Sequence, residues 1–184
     1  MFKKTLLSLL CLGCLSIPVQ AKFLTAVSLG VGNGPKDDLW GSRLSLQADW
    51  PTWFKNYVVN LTGYWDGSVG YWHTTSDNGN HNNLGIFAIS PVVKLQFNRD
   101  FIKIFDPYLQ AGIGASLATN THFGNSNFGS VFVFQDLIGG GIRIGDKLQY
   151  DLSYNYLHYS NANISPPNNG LTAVHYLSFT YHFA

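Results

Sequence analysis

Between Trp40 and Trp50 the side chains alternate in character, residue by residue. Trp40, Leu44, Leu46, Ala48 and Trp50 fall on even positions, while Arg43, Ser45, Gln47 and Asp49 fall on odd ones. Successive side chains of a strand point to opposite faces, so this segment builds one apolar face ended by tryptophans and one polar face. A soluble sheet packs its apolar face on a core. The girdled apolar band seen here is instead the pattern of a strand in contact with lipid.

The pattern recurs. Leu61, Trp65, Val69 and Tyr71 oppose Thr62, Tyr64, Asp66 and Ser68; Phe87, Ile89, Val93, Leu95 and Phe97 oppose Ser90, Lys94 and Gln96. Leu109, Ala111, Ile113, Ala115 and Leu117 oppose Gln110, Gly112, Gly114 and Ser116, and Leu177, Phe179, Tyr181 and Phe183 oppose Tyr176, Ser178, Thr180 and His182. Charged residues make up only 11% of the chain and aromatics 15%, too few charges to solvate an ordinary globular surface. After residue 21 no run of 18 apolar residues could cross a bilayer as a helix. The remaining structure that satisfies its backbone in hydrocarbon is a closed barrel. The expected fold is therefore all-β, an eight-stranded antiparallel transmembrane β-barrel of outer-membrane type. Its strands are expected near 23–32, 39–50, 58–72, 84–97, 104–118, 128–144, 148–161 and 172–183. The sixth alternates poorly, and Gly139–Gly141 marks a bulge or close packing.

Lys3 and Lys4 precede the apolar run Leu6–Ile17, which ends in Val19-Gln20-Ala21. This is the layout of a secretory signal peptide over residues 1–21, leaving 22–184 as a single barrel domain. Cys11 and Cys14 lie inside the leader without a lipoprotein context, so the exported chain carries no disulfide. An eight-stranded barrel is just wide enough to be filled by side chains. Arg43, Asp49, Asp66, Lys94 and Asp151 are accordingly expected to form paired lumenal networks in place of an ion path.

Strand seven ends in Tyr154-Asn155-Tyr156-Leu157-His158-Tyr159-Ser160-Asn161-Ala162. His158 and Ser160 share a face with Tyr154 and Tyr156, opposite Asp151, Ser153 and Asn155, and so point towards lipid. With both termini periplasmic, the pair sits at the extracellular end, level with the outer leaflet. Polar residues cost little at that depth, so the pair could have no task. The alternative is a serine nucleophile with a histidine base, and the N–H of Asn161 is then a candidate oxyanion donor. Other motifs carry less. Gly30-Val31-Gly32-Asn33-Gly34-Pro35-Lys36 lacks the helix and spacing of a phosphate loop and is expected to be a turn. His73, His81 and His122 fall in different loops without metal-ligand spacing, and no basic patch suits a nucleic acid.

The block His158-Tyr159-Ser160-Asn161-Ala162, followed by Pro166-Pro167-Asn168-Asn169-Gly170, resembles the signature of the PagL family of lipid A 3-O-deacylases. Similarity extends through Leu61–Asp66, Asp106–Gly114 and Ile138–Ile142. The resemblance implies an enzyme of the Gram-negative outer membrane that removes the ester-linked acyl chain at position 3 of lipid A, needing neither cofactor nor metal. Lipid A or lipopolysaccharide is then the substrate, outer-membrane lipids are the surroundings, and a homodimer is left open. By the same resemblance His158 is the base and Ser160 the nucleophile. Asn161 lies near the oxyanion hole and Asn168 supports it. The family's third catalytic residue, a glutamate, aligns with Thr172, which supplies no negative charge. No acidic residue follows Asp151, so a substitute has to come from a neighbouring strand, with Asp136 one option. The second reading is a weakly catalytic or non-catalytic barrel that binds lipid A or has a structural role.

Overall fold

A computed structural model describes residues 23–34, 38–76, 81–98 and 105–183. The proposed leader, with Cys11 and Cys14, lies outside the described residues, as do Pro35 and Lys36. Eight long strands carry the fold: β1 (Ala26–Asn33), β2 (Trp40–Asp49), β3 (Val59–His73), β4 (Asn83–Phe97), β5 (Asp106–Ala118), β6 (Phe132–Ile144), β7 (Tyr150–Ser160) and β8 (Leu171–His182). Each pairs antiparallel with its neighbours in sequence, and β1 pairs with both β2 and β8. The sheet therefore closes on itself as an eight-stranded up-and-down barrel without free edges, the arrangement that lipid demands.

Burial is inverted relative to a soluble protein. Leu29, Leu44, Val69, Phe87, Ile113, Ile138, Leu152 and Phe179 are exposed on the outside, whereas Ser45, Gln47, Ser90, Gln110 and Asn155 are buried inside. At one margin Trp40 meets Tyr71 edge-on at 6.4 Å, and at the opposite margin Trp50 stacks on Trp53 at 5.1 Å. These are the aromatic girdles that alternation in β2 anticipates.

The lumen is filled by hydrogen-bonded polar groups. Arg43 pairs with Asp66, and Lys94 with Asp151 at 3.4 Å. Asp151 also accepts from the Tyr108 hydroxyl at 2.5 Å. Lys94 Nζ lies 3.9 Å from the centre of the Tyr108 ring, so its charge is covered on two sides. About 10 Å³ of free space remains among these side chains, room for roughly one water. Asp49, expected in this network, is exposed at the end of β2, where the strand runs out of the barrel and the carboxylate stays hydrated. Towards the end that carries Trp40 the filling turns apolar, with Trp72, Leu84, Ile86, Phe128, Val133, Leu157 and Tyr159 in one buried cluster.

Strand β6 does alternate: Val133, Gln135 and Leu137 are buried, and Phe132 and Ile138 are exposed. Its glycines are sites of close packing with no bulge in their pairing. A Cβ on Gly139 would stand 2.4 Å from Asn155 Oδ1, and Gly139 pairs regularly with Asn155 and Gln110. The strand starts at Phe132, later than expected. Residues before it form a small hairpin in which His122–Phe123 pairs with Ser126–Asn127.

Candidate active site

One irregularity interrupts the pairing of β7 with β8. Asn155 pairs with Tyr176 but Leu157 pairs with Ala173, so two residues of β8 oppose Tyr156 alone. This β-bulge reverses the parity of β8 above it. Leu177, Phe179 and Tyr181 point outward from odd positions, yet Thr172 reaches the same outer face from an even one. The bulge thus brings Thr172 directly opposite His158.

That placement is used. His158 Nδ1 lies 2.8 Å from Thr172 Oγ1. When Nδ1–H donates to this oxygen, Nε2 is the unprotonated nitrogen, the form a general base requires. The Nε2 and Cε1 edge faces Gly170, the residue just before β8 begins at Leu171, the partner of Tyr159. A Cβ at Gly170 would stand 2.8 Å from Cε1 and 3.3 Å from Nε2, and Gly170 has φ +63°. Glycine is required there both for backbone conformation and for the space the imidazole occupies. Ser160 is half-buried on the outer face and forms no hydrogen bond with His158 among the described residues. Tyr156 stacks against the imidazole from below, ring centres 6.4 Å apart.

The inward side of the same strand is anchored. Tyr159 donates to Gln135 Oε1 at 3.0 Å, Gln135 donates to Ser90 Oγ at 2.8 Å, and Tyr159 meets Trp72 edge-on. Rotamers of neighbouring outer residues are thereby fixed to a rigid backbone.

The connection 161–170 is docked on the connection before β6. Asn161, fully buried, donates from Nδ2 to the carbonyls of Phe128 at 2.5 Å and Ser165 at 2.6 Å. Its own N–H donates to Asn168 Oδ1 at 3.1 Å. Ser165 Oγ donates to Gly129 O, and Ser126 Oγ donates to Gly170 O at 2.7 Å. The N–H expected to face an oxyanion is thus held by Asn168, whose Nδ2 remains on the free side of that amide. Gly170 and the supporting residues Ser126 and Phe128 were not among the expected site residues. For Gly170 the signal was the Asn168-Asn169-Gly170 turn immediately before a strand; for the other two there was none.

Of the three histidines expected in loops, His73 ends β3 and His122 lies in the small hairpin before β6. His73 Nδ1 lies 2.9 Å from Asn83 Oδ1, and His122 Nδ1 lies 3.0 Å from Thr121 Oγ1. Residues 30–33 lie within β1 and pair with β2 and β8, so this part of the stretch is strand where a turn was expected.

The model of the family described as lipid A 3-O-deacylase (PagL) matches residues 40–181. The lipid A deacylase PagL of Pseudomonas aeruginosa is 33% identical over 170 residues, covering 91% of this chain and 93% of that one. The chain belongs to the PagL family. The lipid A deacylase PagL of Bordetella bronchiseptica is 42% identical over 76 residues, 41% of each chain. The crystal structure of the outer membrane enzyme PagL superposes with a TM-score of 0.76 at 29% identity, covering 86% of this chain and 99% of that one. The barrel is accordingly a protein of the outer membrane.

Proposed function

We propose that this protein is a lipid A 3-O-deacylase that cleaves the ester-linked acyl chain at position 3 by a serine and histidine mechanism in the outer leaflet. The observation that supports the proposal is the His158 geometry: Nδ1 lies 2.8 Å from Thr172 Oγ1, which leaves Nε2 as the basic nitrogen on a residue that shares the outer face with Ser160. Ser160 Oγ attacks the acyl carbonyl while His158 Nε2 takes its proton. The imidazolium returns that proton to the departing 3-oxygen of the sugar, leaving an acyl-serine. Water, deprotonated by the same nitrogen, attacks the acyl-serine; the C–Oγ bond breaks, the fatty acid departs and Ser160 Oγ takes the proton back from the imidazolium. The backbone N–H of Asn161 donates to Asn168 Oδ1, and the Nδ2–H bonds of that same amide are the donors assigned here to the oxyanion. Such a donor typically contributes about 2.7 to 4 kcal/mol to the barrier.

The outer-face position suits a substrate resident in the membrane, since no pocket inside the filled barrel is required. Export with cleavage of residues 1–21 brings the chain to that membrane. Purified protein mixed with lipopolysaccharide is expected to release a 3-hydroxy fatty acid, and Ser160→Ala to abolish that release. Unchanged release by the alanine variant would remove Ser160 as nucleophile. Thr172 in the place of a carboxylate favours slow turnover, and mass spectrometry of lipid A from cells with and without the protein distinguishes slow deacylation from none.

A further inference from the structure

Charge is almost excluded from the outside of this barrel. On the eight strands Arg43, Asp66, Lys94, Asp106 and Asp151 are buried in the lumen, Arg143 shares their face and Asp49 is exposed where β2 ends, which leaves one exception within the outer wall. The exception is Asp136 of β6, which lies between Phe134 and Ile138 on the outer face and is half-buried there. Asp136 stands directly opposite His158 in the β6–β7 register, with Ile113 on its other side. His158 is thus flanked across the sheet by Thr172 on one side and Asp136 on the other. Directly opposed residues have Cβ atoms about 4.5 to 5.5 Å apart.

Asp136 forms no hydrogen bond or ion pair among the described residues. An unpaired carboxylate facing lipid is unfavourable in the resting protein, so its partner has to be sought in another state. A neutral imidazole gives it little. The imidazolium that forms as Ser160 loses its proton gives it a full opposite charge one strand away. The other groups facing His158 are Thr172 from β8, Tyr156 and Ser160 on its own strand, and Gly170 from the connection. None carries charge, and the nearby His175 is bonded to Tyr154.

We propose that Asp136 is a positioning residue for the reaction, supplying from β6 the negative charge that Thr172 does not supply from β8. The inference rests on the deacylase proposal above. Because its attraction to His158 is realised only when the ring is charged, it lowers the barrier without tightening substrate binding. Unit charges about 6 Å apart at an effective dielectric of about 20 attract strongly enough to account for roughly a hundredfold in rate.

The test uses the full barrel reconstituted in vesicles of lipopolysaccharide and phosphatidylethanolamine, with fatty acid release followed over a range of substrate densities. Folding of each variant is read from heat-modifiable gel migration. Asp136→Asn and Asp136→Ser are both expected to lower kcat about a hundredfold with KM within twofold of the parent. Asp136→Glu, which keeps the charge, should stay within tenfold of the parent. Moving the carboxylate across the histidine, as Thr172→Glu in the Asp136→Asn background, should recover at least tenfold. A folded neutral variant with kcat within threefold of an active parent overturns the role of Asp136 alone. So does a rise in KM at unchanged kcat, which would make Asp136 a substrate contact. A parent that releases no fatty acid, like Ser160→Ala, overturns the deacylase proposal and this one together.

Discussion

Thr172→Val replaces one branched side chain by another of nearly equal shape and removes a single oxygen, the one 2.8 Å from His158 Nδ1. Strand propensity and burial are almost unchanged, so the barrel is expected to fold as before. The histidine loses more. A half-buried Nδ1–H left without an acceptor costs about 1 to 3 kcal/mol. The ring can avoid that cost by moving its proton to Nε2, where it can no longer accept from Ser160, or by rotating away from the serine. Either escape depletes the competent form by a similar free energy, which corresponds to about a tenfold to hundredfold loss in kcat. KM should stay within a factor of two, because Thr172 holds the ring and not the lipid. Initial rates of 3-hydroxy fatty acid release from lipopolysaccharide vesicles, measured by gas chromatography at several substrate densities, separate the two constants. A Thr172→Val protein with kcat within twofold of the parent would show that the hydroxyl does not orient the base.

Two further outcomes follow from packing. Gly170→Ala puts a methyl 2.8 Å from His158 Cε1 at a residue with φ +63°, so kcat should fall at least tenfold while heat-modifiable migration still reports a folded barrel; unchanged kcat would mean the ring edge does not need that space. Asp66→Ala leaves the buried Arg43 guanidinium without its counter-charge and should destabilise the barrel by about 3 to 5 kcal/mol in urea titrations from detergent micelles. The paired replacement Arg43→Met with Asp66→Leu should recover most of that loss, and equal instability of the single and paired variants would discount the ion pair.

The barrel was legible because its two faces differ chemically. In β2 the inward side chains are polar and the outward ones apolar, and through β3 to β5 the outward faces stay apolar even where Trp72, Leu84, Ile86 and Val92 point inward, so alternation places both strand and membrane. The outward aim of His158 and Ser160 was legible in the same way. Thr172 was not. Counting back in twos from Leu177 sends Thr172 into the lumen, and only the additional residue of the bulge returns it to the outside. A bulge has no sequence signature in this stretch, since its energy comes from pairing with a strand ten residues away in the chain. Asp136 was obscured for another reason. Gly139, Gly140 and Gly141 erase the facial contrast of β6, and the side chains that explain them, Asn155 and Tyr108, belong to other strands. The connection before β6 that supports the site is joined to it through backbone carbonyls of Phe128 and Gly129, which every residue type possesses.

The filled lumen has a consequence for the cell that carries this protein. The outer membrane excludes noxious solutes, and a barrel inserted into it is ordinarily a breach in that barrier. Here the interior is closed twice over, by a mesh of charge pairs at one level and by a plug of packed rings and aliphatic side chains at the other. The chemistry proposed for it lies on the outer wall. A bacterium could therefore raise the copy number of this barrel to remodel its surface lipid without becoming more permeable to small antibiotics or detergents.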